Sequence, residues 1–116
     1  MDANNELIRN LEKLADTFTD NLADNFKEVR DAMQAEAEDK VPVDTGALKT
    51  SIDFKVEKSG NDSVGINLNV EKLEDYWADV EFGTSKQRPQ PYLRPAVDKG
   101  IEKITEKVQD AFIKSI

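Results

Sequence analysis

The triplet Asp44-Thr45-Gly46 is the sharpest catalytic suggestion in this chain. One Asp-Thr-Gly per chain, doubled by dimerisation, can bring two carboxylates together to share a proton and activate a water. The surroundings argue against that chemistry. Val41-Pro42-Val43 makes a poor central strand, because Pro42 has no N–H to give to a ladder. The triplet also lies between a long helical pattern and a hairpin, whereas proteases of that kind are almost all β. A turn capped by Asp44 or Thr45 is the better reading.

Histidine and cysteine are both absent. That removes the imidazole base, the thiolate nucleophile, disulfides and the commonest transition-metal ligands. Ser/His/Asp and Cys/His arrangements are excluded with them. Acidic residues cluster instead: Asp20, Asp24 and Glu28 fall at four-residue steps on one helix face, and Glu36, Glu38 and Asp39 crowd its end. No spacing reproduces a calcium loop, which needs acids on alternate residues and a central glycine. A solvated charged face is the reading, and no metal or cofactor is expected. The formal net charge of −8 repels phosphate backbones and anionic lipid, so neither nucleic acid nor membrane is an expected partner. Tyr76, Trp77 and Tyr92 could stack on a ligand, but a protein contact suits Trp77 better, since aromatic side chains concentrate at interface centres. No small-molecule substrate is expected.

These residues must be held by a small body. The 116 residues are 38% apolar and 34% charged, which reads as one globular domain, 1–116. No apolar run approaches the ~20 residues that cross a bilayer. The opening MDANNELIRN lacks the basic and apolar stretches of a secretory signal, so folding in a cytoplasm is expected.

Leu7, Leu11, Leu14, Phe18, Leu22, Phe26, Val29 and Met33 recur at three- and four-residue steps. They predict one amphipathic helix within residues 1–40, ended by Pro42. At ~1.5 Å per residue it would be roughly 50 Å long, against a radius of gyration of ~13 Å for a compact domain of this size. Such a helix must bend, break or project beyond the body, and a projecting apolar stripe needs a partner chain.

Residues 41–91 predict strands. Ile52, Phe54 and Val56 alternate with charged residues, a Gly60-Asn61 turn follows, and Val64, Ile66, Leu68 and Val70 alternate again. That pattern is a hairpin with one buried face. Tyr76, Ala78, Val80 and Phe82 alternate with Trp77, Asp79 and Glu81, which predicts a third strand with Tyr76 and Trp77 on opposite faces. Residues 83–91 form a polar loop carrying Lys86 and Arg88. Residues 92–116 predict a closing helix with the stripe Leu93, Val97, Ile101, Ile104, Val108 and Phe112. Gly100 inside it costs up to ~1 kcal/mol against alanine, a cost that a close helix crossing would explain. The expected class is α+β: a long N-terminal helix and a C-terminal helix packed on a small, mainly antiparallel sheet of three or four strands.

Three segments add a resemblance. VPVDTGALKTSI (41–52), YWADVEFGT (76–84) and PYLRPAVDKGI (91–101) are similar in order and spacing to the tail-completion, or head–tail joining, family of tailed phages. That family is typified by gene product ten of an HK-type lambdoid phage, with the minor tail protein Z of lambda-like phages placed near it. Pro42, Val43, Asp44, Thr45, Gly46, Leu48, Ser51 and Ile52 match the first block of its pattern. Tyr76, Val80, Glu81, Phe82, Gly83 and Thr84 match the second, and Pro91, Leu93, Arg94, Pro95 and Ala96 the third. Trp77 stands where the family usually places alanine after the tyrosine, and Tyr92 stands where phenylalanine is commoner.

The resemblance implies a non-enzymatic virion protein at the top of the tail, a subunit of a six-fold ring that joins tail to head. Its partners would be further copies of itself and neighbouring neck and tail proteins. Another small neck component (a stopper or tail terminator) and a soluble helix-pairing regulator are the alternatives. For the matched residues, three roles are expected. Asp44 and Thr45 would cap the turn carrying Leu48 into the core. Glu81 would pair with Arg94. Gly83 would adopt a backbone angle closed to other residues. The long helix and the sheet face bearing Trp77 are the candidate ring surfaces.

Overall fold

A computed structural model describes residues 3–42, 46–60 and 63–116. Helix α1 runs Ala3–Lys40 without interruption. A short helix α2, Gly46–Ser51, leads into strands β1, Phe54–Ser59, and β2, Ser63–Leu68. Helix α3 spans Trp77–Phe82 and helix α4 spans Leu93–Ser115. The class is α+β as expected, but the sheet has two antiparallel strands, with Phe54 opposite Leu68 and Val56 opposite Ile66.

The third strand expected over 76–82 is a helix instead. Its six residues satisfy a two-residue period and a helical period equally well. The deciding residues are Leu73, Tyr76, Trp77 and Val80, which recur at helical steps. Leu73 and Val80 are buried, and Tyr76 and Trp77 pack against the core. Phe82, expected beside Val80 on one strand face, is instead 70% exposed. Tyr76 and Trp77 accordingly do not sit on opposite faces of a strand, and no sheet face carries Trp77.

The α1 stripe splits into two parts. Phe26, Val29, Met33 and Ala37 are buried in the core with Leu48, Ile52, Phe54 and Tyr92. Leu7, Ile8 and Leu11 are exposed. The reason is α4, which runs antiparallel to α1 and ends beside it. Asn21 donates to the Ser115 hydroxyl at 2.9 Å, and Asn25 donates to the Lys107 carbonyl and the Asp110 carboxylate. Phe18 meets Phe112 edge to face at 5.8 Å. Beyond that seam residues 3–17 of α1 continue for roughly 22 Å at ~1.5 Å per residue. The helix does not break but projects, and the molecule measures 70 × 24 × 22 Å.

Gly100 of α4 packs against Met33 of α1. A Cβ there would sit 2.6 Å from the Met33 sulfur, so the close crossing expected from its cost is present. The hairpin is tied to α1 by two side chains that alternation does not reveal. Gln34 donates to the Ile52 carbonyl at 2.8 Å and accepts the Phe54 N–H at 3.1 Å. Arg30 donates to the Phe54 carbonyl at 2.6 Å. They lie one turn apart beside the apolar stripe, and that spacing was their only sequence signal.

Candidate assembly site

The second and third motif blocks meet around Glu81. Its side chain is 6% exposed and faces the start of α4. One carboxylate oxygen accepts the backbone N–H groups of Tyr92 and Leu93, at 2.9 and 2.7 Å, and the other accepts that of Arg94 at 3.2 Å. A helix N-terminus leaves its first N–H groups unsatisfied and carries partial positive charge. Tyr92, the residue that opens α4, offers no side-chain cap of its own. Glu81 therefore caps α4 from a different helix, through charge-assisted bonds of the stronger kind.

This replaces the expected Glu81–Arg94 ion pair. The Arg94 guanidinium is exposed and pairs with Asp98, one turn on, at 3.3 Å. Glu81 reads the backbone of residue 94 rather than its side chain, so residue type at that position does not matter to the contact.

The rest of the joint serves the same end. Pro95 sits in the first turn of α4, where a missing N–H costs nothing. Tyr92 is fully buried, and its hydroxyl donates to the Trp77 carbonyl at 3.3 Å. Burial, with the nearby Glu81 charge adding to it, pushes that hydroxyl up to about 12, so it stays protonated as a donor. Gly83 ends α3 with φ at +75°, and a Cβ there would also strike Pro89, which confirms the angle expected for it. Residues 83–91 are folded back rather than slack. Thr84 and Gln87 close a tight turn, and the Gln90 N–H donates to the Val80 carbonyl at 2.8 Å.

The first block forms a separate support. Leu48 is fully buried, as expected, and Ile52 is buried beside it. The Ser51 hydroxyl donates to the Leu48 carbonyl and accepts the Glu74 N–H, which links α2 to the segment before α3. Pro42 is half-buried and Gly46 starts α2. Val43, Asp44 and Thr45 lie outside the described residues, and the expected cap lies there with them. Of the motif side chains, Phe82, Thr84, Pro91 and Arg94 face solvent. Phe82 touches Trp77 edge to face at 6.4 Å.

The acidic face of α1 is engaged by lysines. Asp20 pairs with Lys58, Asp24 with Lys27 and Glu28 with Lys107. The Lys107 hydrogen bond and charge hold the Glu28 carboxyl below its ordinary range, and Glu28 holds the Lys107 ammonium above its own. Among the described residues no three acidic side chains converge as metal ligands would, and no helix is long and apolar enough to cross a membrane.

Two helices of unequal length laid on a hairpin, with the Glu81 carboxylate engaged in capping a helix, define a small α+β protein. A family model described as "Bacteriophage HK97-gp10, putative tail-component" matches residues 5–83. The match covers more than half of the chain, and the protein belongs to this HK97-gp10-like family of phage tail components. Helix α4 and the third motif block lie beyond the matched segment, and Glu81 at its end binds them to it alongside the seam between α1 and α4. No curated protein and no solved structure matches the chain.

Proposed function

We propose that this protein is a non-enzymatic virion subunit that completes the tail and joins it to the head, working as a ring, six-fold in order, at the top of the tail. The whole chain, 1–116, acts as one assembly domain in this reading. Family membership supports a tail role, and the observation that carries the joining role is the projecting outer part of α1. A subunit that closes a ring needs two different patches that match after rotation. An apolar helix end held clear of its own core supplies one of them. The exposed Phe82, with the folded loop 83–91 beside it, offers a surface toward neighbouring neck or tail proteins. Motif residues such as Leu48, Glu81, Gly83 and Tyr92 act from beneath, by fixing how α3, that loop and α4 are presented.

The test is a phage carrying a nonsense mutation in this gene, viewed by electron microscopy. Filled heads and full-length tails that remain unjoined, and that join when purified protein is added, are the expected result. Tails of uncontrolled length would reassign the chain as a tail terminator. Normal infectious particles lacking the protein would overturn the reading.

A further inference from the structure

Among the open apolar surfaces of the described residues, two differ in shape as a ridge differs from a groove. The first is the projecting arm, where Leu7, Ile8 and Leu11 are each more than half exposed on one side of α1. The second is a groove of about 260 Å³, floored by Phe26, Val29 and Met33 and walled by Ile66 of β2 and by Val97 and Ile101 of α4. Its upper wall is itself exposed, with Ile101 at 64%.

Gly65, which also lines the groove, marks it further. Nothing lies within 4 Å of the place its Cβ would take. Its φ is not positive. Neither crowding nor backbone conformation within the chain calls for glycine there, yet glycine inside a strand weakens it and marks sites where another backbone comes close. β2 also has β1 alone beside it, so its other edge is open.

Charge selects the occupant. The chain carries −8, and copies of it repel one another except where that charge is missing. Residues 3–18 hold three acids and two bases, so nearly all the negative charge lies elsewhere. The two bases, Arg9 and Lys13, make no ion pair among the described residues, and neither does Glu102 beside Ile101 on α4. Both facing surfaces are free of charged side chains, and the arm, with a net charge of −1 from three acids and two bases, is the part of one copy that another acidic copy repels least.

We infer that the arm of one copy docks in the groove of a neighbouring copy, with Leu7, Ile8 and Leu11 entering between β2 and α4. The contact is heterologous, because the two surfaces differ, and its repetition closes a ring when the rotation allows. The choice of a second copy as occupant rests on the ring reading above.

Two variants separate the surfaces. Leu11→Glu disables the arm and leaves the groove, whereas Ile101→Glu disables the groove and leaves the arm. Both positions are exposed, so neither change burdens the fold. Sedimentation across a concentration series up to millimolar should show wild-type self-association, weakened at least about tenfold in each variant alone. Mixing the two variants should restore a one-to-one pair that grows no further, because one good arm and one good groove remain. Amide shifts in labelled Leu11→Glu protein should then change along the groove, at Gly65 and Ile101, when Ile101→Glu protein is added. Unweakened association in both variants would overturn the docking while leaving a ring by another surface standing. Loss in both with no rescue on mixing would overturn it in favour of an arm-to-arm contact. A wild-type chain that is monomeric throughout, with no groove shifts in the mixture, would overturn it as well. Wild-type association that stops at two copies, with rescue on mixing, would support the docking and count against the ring.

Discussion

The two ends of α1 carry the same amphipathic pattern and meet opposite fates. Around Val29 and Met33 the stripe is buried under α4 and the hairpin; around Leu7 and Leu11 the same spacing of leucines faces solvent. Nothing local separates the two ends, since helix propensity and stripe width are alike. The difference is the length of α4, which has 23 residues against the 38 of α1. Apolar periodicity states that a face will be covered, but not by which chain. In the inner half the cover is intramolecular, and every device in the body, from the Gly100 crossing to the Glu81 clamp, holds that cover in place.

The comparison breaks first at the clamp. Glu81→Ala leaves the N–H groups of Tyr92, Leu93 and Arg94 without their acceptor in a buried site. It should cost roughly 3 kcal/mol in urea unfolding, since hydrogen bonds to a charged group contribute about 1.5–3 kcal/mol and buried orphan donors add their own penalty. Glu81→Gln keeps one acceptor oxygen and should lose roughly half as much. Arg94→Ala should change stability by less than ~0.5 kcal/mol, because its exposed pair with Asp98 contributes little. If Arg94→Ala proved as damaging as Glu81→Ala, the backbone-capping account of this joint would fail.

A smaller effect sharpens the comparison at the helix crossing. Gly100→Ala gains up to ~1 kcal/mol of helix propensity but drives a Cβ to 2.6 Å from the Met33 sulfur. The net expectation is a loss of about 1 kcal/mol. In a Met33→Ala background the obstruction is gone, and the same change should become stabilising by ~0.5 kcal/mol. A double-mutant cycle reads the coupling directly. Additive effects would mean that α4 rides farther from α1 than the structure has it.

How much of this was legible follows from what each signal measures. Both long helices, the hairpin, the Gly83 angle and the role of Gly100 could be read, because each is a local or strongly periodic property. The strand expected at 76–82 was misread because six residues cannot distinguish two periods, and the decisive partner, Leu73, lies outside the alternation. Glu81 was singled out, but its partner was misjudged. Side-chain charge suggested Arg94, while the true acceptor role is toward main-chain N–H groups that have no letter in a sequence. Gln34 and Arg30 were missed for the same reason, since both bind backbone atoms of the hairpin.

The smallest expected effect lies in the arm. Leu11→Ser removes a large apolar side chain, a change that in a core would cost several kcal/mol. At 55% exposure in a dilute monomer it should shift unfolding by no more than ~0.5 kcal/mol. The arm extends past the α4 seam, and a helix of that length is marginal in water by itself. Its amides should therefore exchange with solvent far faster than those around Val29, although both belong to one continuous helix. Raising the protein concentration should slow exchange most in the arm, because the inner half is already covered by α4 and the hairpin. A loss of several kcal/mol from Leu11→Ser, or arm exchange as slow as that of the inner half in dilute solution, would mean that the arm folds back on its own body. The two ends of α1 would then share one fate after all.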